Sequence, residues 1–282
     1  METVHSLVHT KSLGSPLFEH ASRGLTSKSP VKVSVFQAAP GSGITFEIPS
    51  KTGANTGENS FVRIPAHADY VVNTLRNVVL GEGQARLCIV EHFLAAASLW
   101  GATDLLVRVE GPEMPIGDGS AKIWIDQFAL AGIPKVEITP QYELPEAFFV
   151  AKGDREILAV PADRFSISYM MDWDHPRIGK RWATWQSGQN IAEIGRARTF
   201  GSLKEHEMLG LQNDVVSLTE EGFSMPLHFD DEPVHHKLLD LLGDLALVGV
   251  NPLSLKIRFF SIKGGHELDV ELAKKLRQVI QF

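Results

Sequence analysis

The sequence contains a single cysteine, Cys88, so it can close no intrachain disulfide and build none of the cysteine-rich zinc frameworks. A transition metal would have to be held by histidine and carboxylate, and the chain suits a reducing compartment. A positive balance is also missing. The 27 Lys+Arg against 34 Asp+Glu leave a net charge of -7 at pH 7, the wrong sign for a phosphate-backbone ligand, so no nucleic acid partner is expected. No apolar run approaches the ~20 residues a bilayer requires. The most apolar stretch of the C-terminal half, Leu238 to Val250, is broken by Asp240, Asp244 and two glycines. At the N-terminus, Met1-Glu-Thr-Val-His-Ser-Leu-Val-His-Thr offers Glu2 instead of a cationic region and no unbroken apolar stretch, so no secretory leader is expected. These absences point to a soluble, cytoplasmic chain without a transmembrane segment, peripheral membrane contact remaining open. There is no short-period repeat and no low-complexity segment.

What is present is a globular composition, 44% hydrophobic and 22% charged, which excludes disorder, collagen and coiled coil. The length of 282 residues allows one large domain or two. Strand signals run from Val31 to Phe36, Ile44 to Ile48 and Leu105 to Glu110, where the spacing alternates or turn residues intervene. Between Val90 and Trp100 the spacing becomes helical, with Phe93, Leu94, Ala97 and Trp100 on one face and Gly101 as the stop. A second helix is predicted from about Ala121 to Ala131. The three prolines between Ile133 and Pro145 read as a linker, with a boundary near residue 136 that gives domains 1–135 and 136–282. The second half repeats the theme. Strands are predicted near Phe148 to Ala151, Ile157 to Val160, Phe165 to Met171 and Leu255 to Ile262, with helices near Glu232 to Val248 and Glu267 to Ile280. The expected fold is a duplicated α+β unit, each copy a sheet layered with helices, and a ligand site in the crevice between them.

The most informative segment is Asp231-Glu-Pro-Val-His-His-Lys-Leu-Leu-Asp-Leu-Leu-Gly-Asp244. Asp230 or Asp231 can cap a helix here, and Pro233 suits its first turn. His236, Asp240 and Asp244 then form one polar stripe at i, i+4 and i+8 on a helix whose leucines demand burial. A His and an Asp one turn apart can direct two donors at one cation, and the pair is equally a polar helix edge. Glu91-His92, at a strand-to-helix junction, supplies a third donor in His92 and a base in Glu91, or simply an acid near a helix dipole. Lys263-Gly-Gly-His266 follows the last strand, where a glycine turn can hold a histidine in a tight loop as a general acid with Asp244 keeping it protonated, or leave it solvated. Gly117-Asp-Gly-Ser120 reads as a structural turn. Arg196 and Arg198 fit a phosphate contact or an ion pair, and His5, His9, His20, His67, His175, His206, His228 and His235 read as surface or turn residues.

Taken in order, Val90-Glu-His-Phe-Leu-Ala-Ala-Ala, Gly111-Pro-Glu-Met-Pro-Ile-Gly-Asp-Gly-Ser120, Asp172-Trp-Asp-His-Pro176, Arg196-Ala-Arg-Thr-Phe-Gly201, His236-Lys-Leu-Leu-Asp-Leu-Leu-Gly-Asp244 and Lys263-Gly-Gly-His266 resemble the zinc-dependent UDP-3-O-acyl-N-acetylglucosamine deacetylases of lipid A biosynthesis. The similarity runs from about residue 22 to the C-terminus. It implies one Zn2+ per chain held by His92, His236 and Asp240, Glu91 as general base, His266 as general acid and Asp244 orienting that histidine. It further implies Thr199 as the hydroxyl that steadies the oxyanion, and Trp173, Phe200, Lys237 and Lys263 as contacts for a small UDP-sugar substrate carrying a lipid acyl group. Such chemistry needs a separate acid, because an amine leaves poorly without a proton.

Two departures stand out. The family carries a Gly-Leu-His-Ser/Thr-Gly loop near its N-terminus, whereas Arg23-Gly-Leu-Thr-Ser-Lys-Ser-Pro30 has Thr26 for the histidine and Lys28 for the second glycine, which predicts a loop without special backbone freedom. Between Phe200 and His236 the family inserts an apolar strand-helix-strand element that sheathes the acyl chain. The shorter, charged stretch Gly201 to Leu218 predicts that an acyl passage of the usual length is hard to build. The alternatives are a zinc amidohydrolase for another acetylated amino sugar and a non-catalytic, zinc-containing regulator that binds a nucleotide-sugar.

Overall fold

The computed structural model describes residues 14–50 and 60–280. The first half forms β1 (Phe18–Arg23), β2 (Pro30–Gln37), β3 (Ile44–Pro49), β4 (Phe61–Pro65), β5 (Val71–Asn73), β6 (Val79–Glu82), β7 (Ala85–Cys88), α1 (Glu91–Trp100), β8 (Leu105–Glu110) and α2 (Lys122–Leu130). The second forms β9 (Tyr142–Glu143), β10 (Phe148–Lys152), β11 (Arg155–Pro161), β12 (Ser166–Trp173), β13 (Gly179–Gln186), α3 (Ala192–Gly195), β14 (Phe200–Ser202), α4 (Leu203–Leu209), β15 (Val216–Leu218), α5 (Glu232–Leu245), β16 (Leu255–Ile262) and α6 (His266–Val279). The predicted strands and helices are all present, with ends moved by up to three residues. The α+β class is as expected.

The duplication is visible in the strand order. The first large sheet runs β1-β2-β8-β3-β4 and the second β10-β11-β16-β12-β13, with β9 added on β16. In both, the last strand enters the middle. It pairs antiparallel with one hairpin, β8 on β2 and β16 on β11, and parallel with the other, β8 on β3 and β16 on β12. One helix precedes each central strand, α1 or α5, and one follows it, α2 or α6. Alternation along the strands supplies the apolar face that each helix pair covers, as where Phe46 of β3 meets Phe93 of α1 edge-on with centroids 6.0 Å apart.

The two units meet helix to helix, α1 against α5. Glu91 to Leu99 are all buried, so the expected one-sided face of α1 is an understatement: the helix is enclosed by its own sheet and by the other unit. Gly243 makes this approach possible, since a Cβ there would lie 2.1 Å from the Glu91 carbonyl oxygen. The small sheet β5-β6-β7 and the parallel pair β14-β15 flank the contact. Arg76, on the β5–β6 loop, pairs with Glu205 of α4, and Lys28 pairs with Asp214 at 2.6 Å, so both flanking elements are tied across the halves. Among the described residues, no helix is long and apolar enough to cross a membrane. His5 and His9 lie outside the described residues.

Several local expectations change. Asp231 does not cap α5 through its side chain; its backbone is left-handed at φ 61° and its carboxylate pairs with Arg181 at 3.1 Å. His266 is not in a loop but is the first residue of α6, because Gly265 absorbs the turn at φ 152° and Glu267 and Asp269 favour the helix start. Lys28 keeps a left-handed backbone at φ 53°, so the loop at Thr26 has not become ordinary. That conformation costs about 1 kcal/mol for a residue other than glycine. It is held by Arg23 donating to the Lys28 carbonyl and by the buried Glu113 accepting the Thr26 and Ser27 amides at 3.1 and 2.7 Å. The stretch Gly201 to Leu218 does form a strand-helix-strand element, β14-α4-β15, with a parallel pair and with Leu211, Val215, Val216 and Leu218 buried. His206 is likewise buried within it, bonded to the Ser217 hydroxyl at 2.8 Å, and is not a surface residue.

Candidate active site

The backbone before α1 is strained at a telling place. Ile89 is left-handed at φ 62°, unfavourable for a β-branched residue, and it immediately precedes Val90-Glu91-His92. Its amide donates to the Val78 carbonyl at 3.1 Å. In return the Val78 amide donates to Glu91 Oε2 at 3.1 Å, which fixes the Glu91 carboxylate in a buried position. His92, one residue on, projects toward α5.

On α5 the polar stripe is buried throughout: His236, Asp240 and Asp244 are all less than 5% exposed. His236 Nδ1 donates to the Ala197 carbonyl at 2.9 Å, so Nε2 carries the lone pair, 3.2 Å from Asp240 Oδ1. His92 Nε2 lies 3.7 Å from the same oxygen. Donors about 2.0–2.1 Å from a tetrahedral ion sit roughly 3.3–3.4 Å from one another, so these separations suit one cation. Donor chemistry agrees, because two imidazoles and a carboxylate suit a borderline ion such as Zn2+. His92 Nδ1 is buried with no hydrogen-bond partner among the described residues, so this ring is the less anchored of the two. Burial lowers the proton affinity of His236, leaving its lone pair available. Burial alone would raise Asp240, yet His236 and Lys237 hold it well below the usual carboxylate range.

Asp244, the third member of the stripe, turns to a different partner. Its Oδ2 accepts from His266 Nδ1 at 2.7 Å. Burial by itself would lower the imidazole, but Asp244 overrides it and the His266 proton affinity is pushed up to about 10. His266 is therefore an imidazolium at neutral pH. The turn that delivers it is pinned from below, with Tyr169 donating its hydroxyl to the Gly264 carbonyl at 2.9 Å and the Lys263 amide bonding the Met170 carbonyl at 2.8 Å. A recess of about 540 Å³ opens beside His266, between Asn73, Thr74 and Leu75 on one side and Arg155, Gly265 and Glu267 on the other.

The remaining expected residues fall in three places. Trp173 and Phe200 stack at a tilt with centroids 5.0 Å apart, and Phe200 faces the His236 ring at 6.3 Å. Lys237 joins them, 5.8 Å above the Phe200 ring, while bonding Asp240 Oδ2 at 2.8 Å. Thr199 lies between Ala197 and Phe200, both of which touch His236, and its amide donates to the Gly119 carbonyl at 2.7 Å. Lys263 is bonded to Asp154 at 2.9 Å and to Asp172, the neighbour of Trp173, at 3.2 Å. Of the two arginines left open, Arg198 is structural. It is 7% exposed and pairs with the buried Glu232 through Nε at 2.8 Å and Nη2 at 3.0 Å. Arg196 is exposed over the Phe229 ring at 4.7 Å.

Sequence reasoning missed Gly243, Glu113 and Asp269. Only Asp269 left a trace in the pattern, as a carboxylate between Leu268 and Val270 on the buried side of a helix, one turn after His266.

An α+β duplication whose two central helices enclose a His-His-Asp cluster that could hold a metal ion, beside a carboxylate and a further histidine, has the residue set of a hydrolase. The model of the UDP-3-O-acyl N-acetylglycosamine deacetylase family matches residues 15–278, and the chain belongs to that family. It is 32% identical to the UDP-3-O-acyl-N-acetylglucosamine deacetylase of Nostoc sp. over 91% of this chain and 94% of that protein. It is 34% identical to the enzyme of the same name from Trichormus variabilis, over 76% and 81%. The Coxiella burnetii protein of that name is 30% identical over 90% and 85%.

Proposed function

We propose that this chain is a zinc-dependent deacetylase that removes the N-acetyl group from UDP-3-O-acyl-N-acetylglucosamine in lipid A biosynthesis. Its working place is the cytoplasm, at most in peripheral contact with a membrane, and its units divide near residue 136. The single observation that carries this reading is the convergence of Glu91 and His92 from α1 with His236, Asp240 and Asp244 from α5 and His266 from α6. The family relationship names the substrate.

His92, His236 and Asp240 would hold the ion, which when bound supplies Lewis acidity toward the amide carbonyl and acidifies water. Glu91 takes the proton of the attacking water, and its carboxylate is kept in place by the Val78 amide. Thr199 offers a hydroxyl to the developing oxyanion, on a segment anchored through Gly119. His266, an imidazolium through Asp244, protonates the departing sugar amine, which then leaves as a neutral group. Lys237 and Lys263 bring positive charge toward a diphosphate in a chain that is negative overall. Trp173 and Phe200 supply an aromatic wall beside His236.

The test is mass-spectrometric detection of deacetylation by purified protein of known metal content, on UDP-3-O-acyl-N-acetylglucosamine with long and short acyl chains beside UDP-N-acetylglucosamine. Acetate release from an acylated substrate is the expected result. Stoichiometric zinc with turnover of none of them would overturn the substrate assignment.

A further inference from the structure

The chemistry above leaves the buried carboxyl of Asp269 without a part. Asp269 lies one turn beyond His266 on α6, so the two share a helix face. It is 1% exposed, and neither of its oxygens has a hydrogen-bond partner among the described residues. One polar atom each from Asp244, His266 and Asp269 lie within 4.8 Å of one another. Asp244 uses Oδ2 on His266, and its Oδ1 is buried and unpartnered as well. Two buried carboxyls with free oxygens face one another.

The neighbouring charges leave Asp269 uncompensated. From α5 it faces Asp240, Asp244 and Lys237, from β12 Tyr169, and from its own helix His266. Only Lys237 and His266 are cations, and each is already matched by a carboxylate, Asp240 and Asp244 respectively. Lys152 of β10 and Arg155 of β11 are engaged by Glu267. The Tyr169 hydroxyl is given to the Gly264 carbonyl. An anion at Asp269 would be buried with no hydrogen-bond or ion-pair partner of its own among the described residues, whereas one proton shared with Asp244 removes the repulsion between the two carboxyls and joins one oxygen of each. Consistent with this, burial and the adjoining Asp244 raise the Asp269 carboxyl well above its ordinary range.

We propose that Asp269 is a positioning residue for the general acid: it is carried as a neutral carboxylic acid and donates its hydrogen bond, directly or through one water, to the free oxygen of Asp244. Asp244 then remains an anion toward His266, and the imidazolium keeps both its proton and its orientation. The role assigned to His266 rests on the deacetylase reading, while the protonation of Asp269 does not.

The experiment compares the wild-type holoenzyme with Asp269→Asn and Asp269→Leu. Asn retains a donor, so D269N is expected to leave kcat/KM and its pH profile unchanged. Leu removes the donor, so D269L is expected to lower kcat about tenfold or more. It should also move the acid limb upward, because Asp244 without its donor binds a proton more readily. The infrared difference between wild type and D269N at neutral pH is expected to show the C=O stretch of a protonated carboxylic acid. That band needs no turnover, so it decides the protonation of Asp269 even if the substrate assignment fails, or if D269L does not fold. Absence of the band, or an equal displacement of the pH profile by D269N and D269L, overturns the proposal, since Asp269 would then be an anion. Loss of a second equivalent of metal in D269N also overturns it, by making the cluster a metal site.

Discussion

The two halves share a strand order, yet their equivalent parts do different work. In both, a glycine-rich turn leads from the central strand into the second helix. Before α2, Gly117-Asp-Gly-Ser120 is closed on itself, with Asp118 Oδ1 accepting the Ser120 amide at 3.0 Å and its hydroxyl at 2.6 Å. Before α6, Lys263-Gly-Gly-His266 is open, and its histidine reaches out of the turn to Asp244 on another helix. A turn that satisfies its own polar groups stabilises a scaffold, and one that cannot do so leaves a side chain for chemistry. The paired helices α1 and α5 divide likewise: α1 contributes only its first two residues to the site, and α5 contributes a stripe of three.

This contrast can be broken experimentally, beginning with the largest effect. Glu91→Gln should lower kcat by about 10²–10⁴-fold, the usual worth of a general base, while leaving the metal bound. His236→Ala should lose both, as read by turnover and metal analysis. Asp244→Asn should come next, lowering kcat/KM by about 10²-fold. The sign of its pH effect follows from the pairing. Asp244 favours the charged imidazole and pushes it to about 10, so the alkaline limb set by His266 lies near there in the wild type. Without that charge it moves down toward the ordinary histidine value of about 6.5.

A smaller effect is expected where the halves touch. Gly243→Ala places a Cβ 2.1 Å from the Glu91 carbonyl oxygen, so α1 and α5 must separate. A loss of about 1–3 kcal/mol in urea denaturation is expected, with weakened metal affinity. The mildest change is Asp118→Ala, which removes the self-closing bonds of the first turn at a cost of about 1 kcal/mol. Its kcat should be unchanged at a temperature where the protein remains folded. A large loss of turnover with full stability would show that the two turns are not the different devices described.

Much of this was legible in one dimension because it depends on local spacing. The stripe His236, Asp240 and Asp244 follows from the helical period, and Glu91-His92 from an acid and a ligand at a helix start. The strand order was suggested only as a repeated sequence of elements, since pairing is a long-range property. What could not be read is what depends on the other half. The close passage at Gly243 exists because α1 lies opposite it, and the burial of Asp269 depends on Asp244, 25 positions earlier in the chain. The segment Gly201 to Leu218 hides its strand-helix-strand order for a physical reason. Its charged residues occupy the outer side of a short helix, while the apolar Val215, Val216 and Leu218 that build the element sit at its end.

The central claim is that one metal site is shared between the halves, with His92 from the first and His236 and Asp240 from the second. Metal stoichiometry and affinity in His92→Ala and His236→Ala, each compared with wild type by competition with a chelator, test this most directly. The account predicts one equivalent of zinc in the wild type and its loss in both variants. Full retention with unchanged affinity in His92→Ala would contradict it, because the first half would then contribute no ligand.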